Sequence, residues 1–136
     1  MPLPFIASLA ATVAALVGVV WSGHARRRHL HYTLVVVMLA CLAVAIWLAE
    51  QHGRGLVYDG AAAAWHRWHF RFVALTFALV PLVAVTGVLL ARARGPAAPA
   101  RRLWHKRAAW AFVLSTVVTF GLGLGMTLLA EAAPAG

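Results

Sequence analysis

Residues 72–91, FVALTFALVPLVAVTGVLLA, are 20 consecutive residues without a charged side chain. A helix rises about 1.5 Å per residue and the hydrocarbon core of a bilayer is about 30 Å thick, so this run can cross a membrane. Three further uncharged runs occupy residues 3–21, 32–49 and 108–130. Backbone groups in lipid must be hydrogen-bonded within the segment, and the period-two alternation of a membrane barrel is absent. Each run therefore predicts a transmembrane helix.

The composition of the whole chain agrees with a membrane protein. Of its 136 residues, 63% are hydrophobic and 11% are charged, whereas a soluble domain is about half apolar and about a quarter charged. The connections between successive runs are short, which favours antiparallel neighbours. We therefore predict an all-α polytopic membrane protein, with residues 1–136 forming one domain that is an up-down-up-down four-helix transmembrane bundle.

The basic residues predict the orientation in the membrane. Twelve Lys and Arg against three Asp and Glu give a net charge of +9, an excess that would also suit a nucleic-acid-binding protein. Nine of the twelve, however, lie in the connections 22–31 and 92–107, which contain no acid. The positive-inside rule places these connections in the cytoplasm and both termini outside the bacterial inner membrane. The lipid bilayer, not nucleic acid, is the expected partner. Because no basic segment precedes the first run, we expect a retained helix and not a signal peptide.

Seven histidines are the main chemical signal, and all lie near the ends of the predicted spans. On helix two, His31, Met38, Ala45 and His52 share one helical face. The corresponding faces of helices three and four consist of His66, His69, Val73, Thr76, Val83 and Gly87, and of His105, Ala109, Phe112, Thr116, Thr119, Gly123 and Met126. These faces hold most of the small and hydroxylated residues, so we predict that they point inward.

Two sites follow from these faces. At the cytoplasmic ends, His31 (or His29) on helix two would meet His105 on helix four, and two imidazoles from facing helices are the axial ligands of haem b. At the outer ends, His52, His66 and His69 would form a copper or zinc site. The alternative for each histidine is interface anchoring, because an imidazole combines an apolar body with a polar edge.

Several classes of function lack the residues they need. No carboxylate lies within a span, which argues against an ion-coupled transporter. Asp59 is the only aspartate, and no P-loop or Gly-rich nucleotide motif occurs, which argues against a Ser-His-Asp triad and against phosphoryl transfer. We predict no catalytic residue and do not expect an enzyme.

Over nearly its whole length the chain resembles the CtaM/YozB-like family of small four-helix bacterial membrane proteins. The features that carry the resemblance are, in chain order, the basic turn Arg26-Arg27-Arg28 with His29 and His31, His52 at the end of helix two, a histidine near the start of helix three, Pro81-Leu82, His105-Lys106-Arg107 and the Gly-rich second half of helix four. The helix-three histidine of the family lies deeper than His69. The resemblance implies a role in the biogenesis of respiratory haem–copper oxidases, with the oxidase as partner.

Three functions are consistent with this sequence. The first is an accessory protein for oxidase biogenesis that binds haem or copper. The second is a b-type cytochrome that takes electrons from quinol, and the third is a structural subunit of a larger membrane complex. We favour the first, because helix one has no outer histidine with which to complete a second pair of haem ligands.

Overall fold

Four long helices make up most of the chain. The computed structural model describes residues 3–93, 95 and 98–132, in which the helices are α1 (Leu3–His24), α2 (Arg28–Gly53), α3 (Gly60–Ala91) and α4 (Ala98–Leu129). Two strands of two residues each, β1 (Leu56–Val57) and β2 (Glu131–Ala132), are also present. Each helix is long and apolar enough to cross a membrane. The predicted all-α class and membrane integration are confirmed.

The chain forms two compact units, each of which contains one helical hairpin. The first unit contains α1 and α2 and extends to Leu56, and the second runs from Val57 to Glu131 and contains α3 and α4. In each hairpin, "turn end" denotes the end at which the two helices are joined, and "open end" denotes the opposite end. The two hairpins are described separately.

The first hairpin is antiparallel. Residues 25–27 separate its helices, and Arg26 adopts a left-handed backbone with φ 55°. Gly18 of α1 lies so close to α2 that a β-carbon there would stand 3.1 Å from Leu34 Cδ1. At the open end, the ring centroids of Phe5 and His52 are 6.5 Å apart. The missing side chain at Gly18 thus allows α1 and α2 to pack closely at this point.

The second hairpin is also antiparallel, with polar contacts between its helices. Near the middle, the Oγ1 atom of Thr76 on α3 lies 2.7 Å from Ser115 Oγ on α4. Towards the open end, the Trp65 ring occupies the position that a β-carbon of Gly125 would need. The absence of a side chain at Gly125 therefore makes room for the Trp65 ring.

The predicted inward faces are confirmed by side-chain burial. Met38 and Ala45 are each 4% exposed, and they are the two buried residues of α2. Thr76 is buried on α3, and Thr116 and Thr119 are buried on α4. The five histidines on these faces are half-buried: His31, His52, His66, His69 and His105.

The connection at residues 92–107 was predicted too long. In the structure α4 begins at Ala98, so residues 98–107, with four of the basic side chains, are helical. A charged residue ends an apolar run but not a helix, because Arg and Lys are good helix formers. Pro99 is compatible with this start, since the first turn of a helix has no acceptors for its N–H groups.

Helix α3 begins at Gly60, twelve residues before the uncharged run 72–91. Asp59 occupies the N-cap position with extended backbone (φ −121°, ψ 175°), but its side chain makes no capping hydrogen bond. The Asp59 carbonyl oxygen instead accepts from the Ala63 N–H at 3.1 Å. Gly60 has φ +45°, a left-handed conformation that glycine adopts without steric cost.

Candidate functional site: histidines bonded across the hairpins

His31 lies in the first turn of α2 and is hydrogen-bonded to the end of α1. Its Nδ1 atom is 3.1 Å from the Val19 carbonyl oxygen and 3.3 Å from Ser22 Oγ. The Ser22 hydroxyl has one proton, which it donates to the Val19 oxygen at 3.0 Å. A carbonyl oxygen only accepts, so the hydrogen-bond network assigns the proton of the neutral His31 ring to Nδ1. Nε2 then carries the lone pair that a metal or haem iron requires.

His105 on α4 repeats this arrangement at the turn end of the second hairpin. Its Nδ1 atom lies 3.3 Å from Thr86 Oγ1 on α3. The Thr86 hydroxyl also lies 2.8 Å from the Leu82 carbonyl oxygen, and when it donates its proton there, Oγ1 can accept a proton from His105 Nδ1. A β-carbon at Gly87, the residue after Thr86, would stand 3.3 Å from His105 Cε1. The ring is therefore in close contact with the glycine.

His69 on α3 makes the equivalent contact near the open end of the second hairpin. Its Nδ1 atom lies 3.0 Å from the Thr119 carbonyl oxygen of α4. A β-carbon at Gly123 would stand 3.0 Å from His69 Cε1 and 3.2 Å from Nδ1, closer than side chains normally approach. The carbonyl acceptor again places the ring proton on Nδ1 and the lone pair on Nε2.

We call His31, His69 and His105 the cross-helix histidines, because each bonds through Nδ1 to an oxygen of the neighbouring helix. Metal-ligating histidines in proteins almost always donate the second ring N–H to a carbonyl, carboxylate or water, which fixes the tautomer and the ring orientation. The cross-helix histidines have that bond already. The arrangement is suited chemically to coordination through Nε2.

The remaining histidines at the turn ends lack a cross-helix bond. His24 Nδ1 lies 2.9 Å from the Val20 carbonyl oxygen of its own helix. The His29 side chain is exposed. Of the two candidates on α2, His31 is therefore the one whose ring is hydrogen-bonded to the neighbouring helix.

Of the three predicted copper or zinc ligands, His66 and His69 lie on α3 and both contact the Phe70 ring. His66 lies between the rings of Tyr58 and Phe70, with centroid distances of 4.6 and 4.7 Å. His52 belongs to the first hairpin, whereas His66 and His69 belong to the second. Residues 3–93, 95 and 98–132 contain no group of three His, Cys, Asp or Glu side chains that could hold a metal ion. The three-histidine site stays a prediction from the sequence.

A cluster of buried hydroxyl groups lies next to His69. Thr76 Oγ1 is 2.7 Å from Ser115 Oγ and 3.2 Å from Thr119 Oγ1, and the Thr119 carbonyl oxygen is the acceptor for His69. Helices in lipid associate through packing and hydrogen bonds, because lipid tails provide no hydrophobic drive between them. The cluster thus joins α3 to α4 and supports the position of the His69 ring.

Ser22 and Thr86 were not predicted as partners of histidine. The available signal was a hydroxylated residue followed by glycine, Ser22-Gly23 and Thr86-Gly87, near the end of the first and third spans. A β-carbon at Gly23 would lie 3.4 Å from His31 Cε1, so both glycines border an imidazole. Comparison with protein-family models, curated proteins and solved structures gives no match to this chain.

Proposed function

We propose that this chain is an integral membrane protein that binds haem or copper through its cross-helix histidines and serves the biogenesis of a respiratory haem–copper oxidase. The observation that supports the ligand role is the Nδ1 hydrogen bond of each cross-helix histidine, which at His31 and His69 goes to a carbonyl oxygen and leaves the lone pair on Nε2. The resemblance to the CtaM/YozB-like family supports the connection to oxidase biogenesis.

His31 in the first hairpin and His105 in the second are each a proposed haem ligand. His31 lies in the first turn of α2 and His105 is the eighth residue of α4, and each has a neighbouring helix that supplies a hydrogen-bonding oxygen and a glycine. A bound haem would supply one-electron redox chemistry. The contribution of the chain is to hold each imidazole in one tautomer and one orientation.

A b-type cytochrome that takes electrons from quinol is the second candidate. The observation that favours it is the position of His69 and His105 near opposite ends of the second hairpin, each bonded across to the other helix. Electron transfer across a membrane requires cofactors at two depths. A protein that binds neither haem nor copper would be a structural subunit.

The proposed orientation places the turn ends of both hairpins in the cytoplasm of a bacterium and both termini outside the inner membrane. The described residues at the turn ends include Arg26, Arg27 and Arg28 in the first hairpin and Arg92, Arg101, Arg102, Lys106 and Arg107 in the second. Cytoplasmic segments of membrane proteins carry such an excess of Lys and Arg.

Absorption spectra and metal analysis of the purified protein test the ligand role. We expect His31→Ala and His105→Ala each to abolish the haem spectrum, or the copper content, of the wild-type protein. His24→Ala and His29→Ala are the matched controls, since neither ring is bonded across a hairpin, and both should retain it. In cells, the first two variants should also lower terminal-oxidase activity. Wild-type cofactor content in His31→Ala and His105→Ala would exclude this function.

A further inference from the structure

A shallow cleft of about 300 Å³ lies on the first three turns of α4. Its lining consists of Ala98, Pro99, Arg102, Leu103 and Lys106. Residues 99, 102, 103 and 106 are spaced three and four apart, so they form one face of the helix. The face therefore presents two cationic side chains next to apolar ones.

The two cations of this face have no acidic partner in the part of the chain that the structure describes. The ion pair found there joins Arg54 to Glu50, and the chain has three acidic residues in all. The adjacent Arg101 differs, because its Nη1 donates to the Leu89 carbonyl oxygen of α3 at 3.2 Å. Arg101 thus joins the two helices, whereas Arg102 and Lys106 are exposed and need an anion from outside.

The apolar part of the face indicates which anion fits. The same face continues towards the predicted span through Trp110 and Leu114, which are 42% and 61% exposed. A free phosphate would gain nothing from these side chains. A phospholipid offers a phosphate to the cations and an acyl chain to the apolar residues, and α4 is long and apolar enough to cross a membrane. Near a membrane surface, each Lys or Arg attracts anionic lipid.

We propose that Arg102 and Lys106 bind the phosphate of an anionic phospholipid whose acyl chain packs on Trp110 and Leu114. The site is distinct from the cross-helix histidines and does not depend on a haem or copper ligand. Its occupant is a lipid of phosphatidylglycerol type, which carries one net negative charge beside two acyl chains.

Native mass spectrometry and thermal unfolding in a neutral detergent test this site. The purified full chain is titrated with phosphatidylglycerol and with phosphatidylcholine. We expect phosphatidylglycerol to be retained and to raise the unfolding midpoint, and phosphatidylcholine to do neither. The double variant Arg102→Gln/Lys106→Gln should bind phosphatidylglycerol roughly ten-fold or more weakly, while Arg102→Lys/Lys106→Arg should bind it as the wild type does.

The matched control is Arg26→Gln/Arg28→Gln, which removes the same charge from the turn end of the first hairpin. It should bind phosphatidylglycerol normally. An equal loss in both glutamine variants would overturn the site, since the attraction would then reflect total charge. Displacement of the lipid by millimolar inorganic phosphate would overturn the assignment to a lipid.

Discussion

The imidazole of His69 lies against Gly123, where a β-carbon would stand 3.0 Å from its Cε1 atom. This contact allows Nδ1 to reach the Thr119 carbonyl oxygen one turn away on the same neighbouring helix. Gly121, two residues earlier, has no atom within 4 Å of the position of an added β-carbon. The two glycines therefore differ in function although both belong to the Gly-rich half of α4.

Gly123→Ala should displace the His69 ring and break its bond to Thr119, because the added methyl group occupies the space of the ring edge. We expect Gly123→Ala to be less stable than the variant Gly121→Ala by about 1 kcal/mol, the value of the lost hydrogen bond, measured by denaturant titration in detergent. Gly121→Ala is the control and should be neutral or stabilising, since alanine is the better helix former by about 1 kcal/mol. Equal stabilities of the two variants would show that the ring is not held by this contact.

Thr86→Val should weaken the binding of any cofactor held by His105, because it removes the oxygen that is hydrogen-bonded to Nδ1. Loss of a hydrogen-bond partner behind a ligating histidine typically costs about 10–100-fold in metal affinity. The measurement is a titration of the purified variant with haem and with copper. Thr33→Val is the control, since the Thr33 hydroxyl is exposed and bonds to the His29 carbonyl of its own helix. Identical affinities for both variants would remove Thr86 from the site.

Thr76→Val should destabilise the second hairpin by about 1 kcal/mol, because interhelical hydrogen bonds in membrane proteins average about 0.6 and reach about 1.7 kcal/mol. Thr76 makes two such bonds, to Ser115 and Thr119, and valine preserves its shape. Unfolding by a denaturing detergent measures the effect. In the Ser115→Ala background the same change should cost less, since one of the two partners is already absent. An equal loss of stability from Thr76→Val in the wild-type chain and in the Ser115→Ala variant would argue against the bond to Ser115.

The inward faces were predictable, because burial in a helix follows a period that one sequence contains. Met38 and Ala45 lie seven residues apart between His31 and His52, and both are buried. The partners of the histidines were not predictable in the same way. That His31 meets Ser22, and His105 meets Thr86, depends on the register of two helices, which periodicity within one helix does not specify. The early start of α4 was missed because uncharged length was used to define each span.

Tyr58 should titrate above the ordinary phenol range. Burial raises its pKa from the usual value of 10.0, because the phenolate is poorly solvated there. In the Tyr32→Phe variant, Tyr58 is the one tyrosine left, and its ultraviolet absorbance reports the phenolate directly. Because the pKa of Tyr58 is higher in the folded than in the unfolded chain, its neutral phenol contributes to the free energy of unfolding below pH 10. This contribution is lost as the pH rises through the folded-state pKa. The same variant in denaturant should titrate near 10; a folded midpoint at or below that value would contradict the burial of Tyr58.

The orientation of the hairpins can be tested at two exposed glycines that lie outside the helices. Gly95 lies between α3 and α4, close to Arg92, and Gly55 lies between α2 and α3. Basic connections are retained in the cytoplasm. A reporter that is active only in the cytoplasm should therefore give a signal at Gly95 and none at Gly55, and a reporter that is active only outside the cytoplasm should show the reverse. Replacement of Arg26, Arg27 and Arg28 by glutamine should reduce the preference of the first hairpin for one orientation in the membrane. The signal of the reporter at Gly95 should not change, since the second hairpin has its own basic cluster. A cytoplasmic signal from Gly55 in the wild-type chain would reverse the proposed topology.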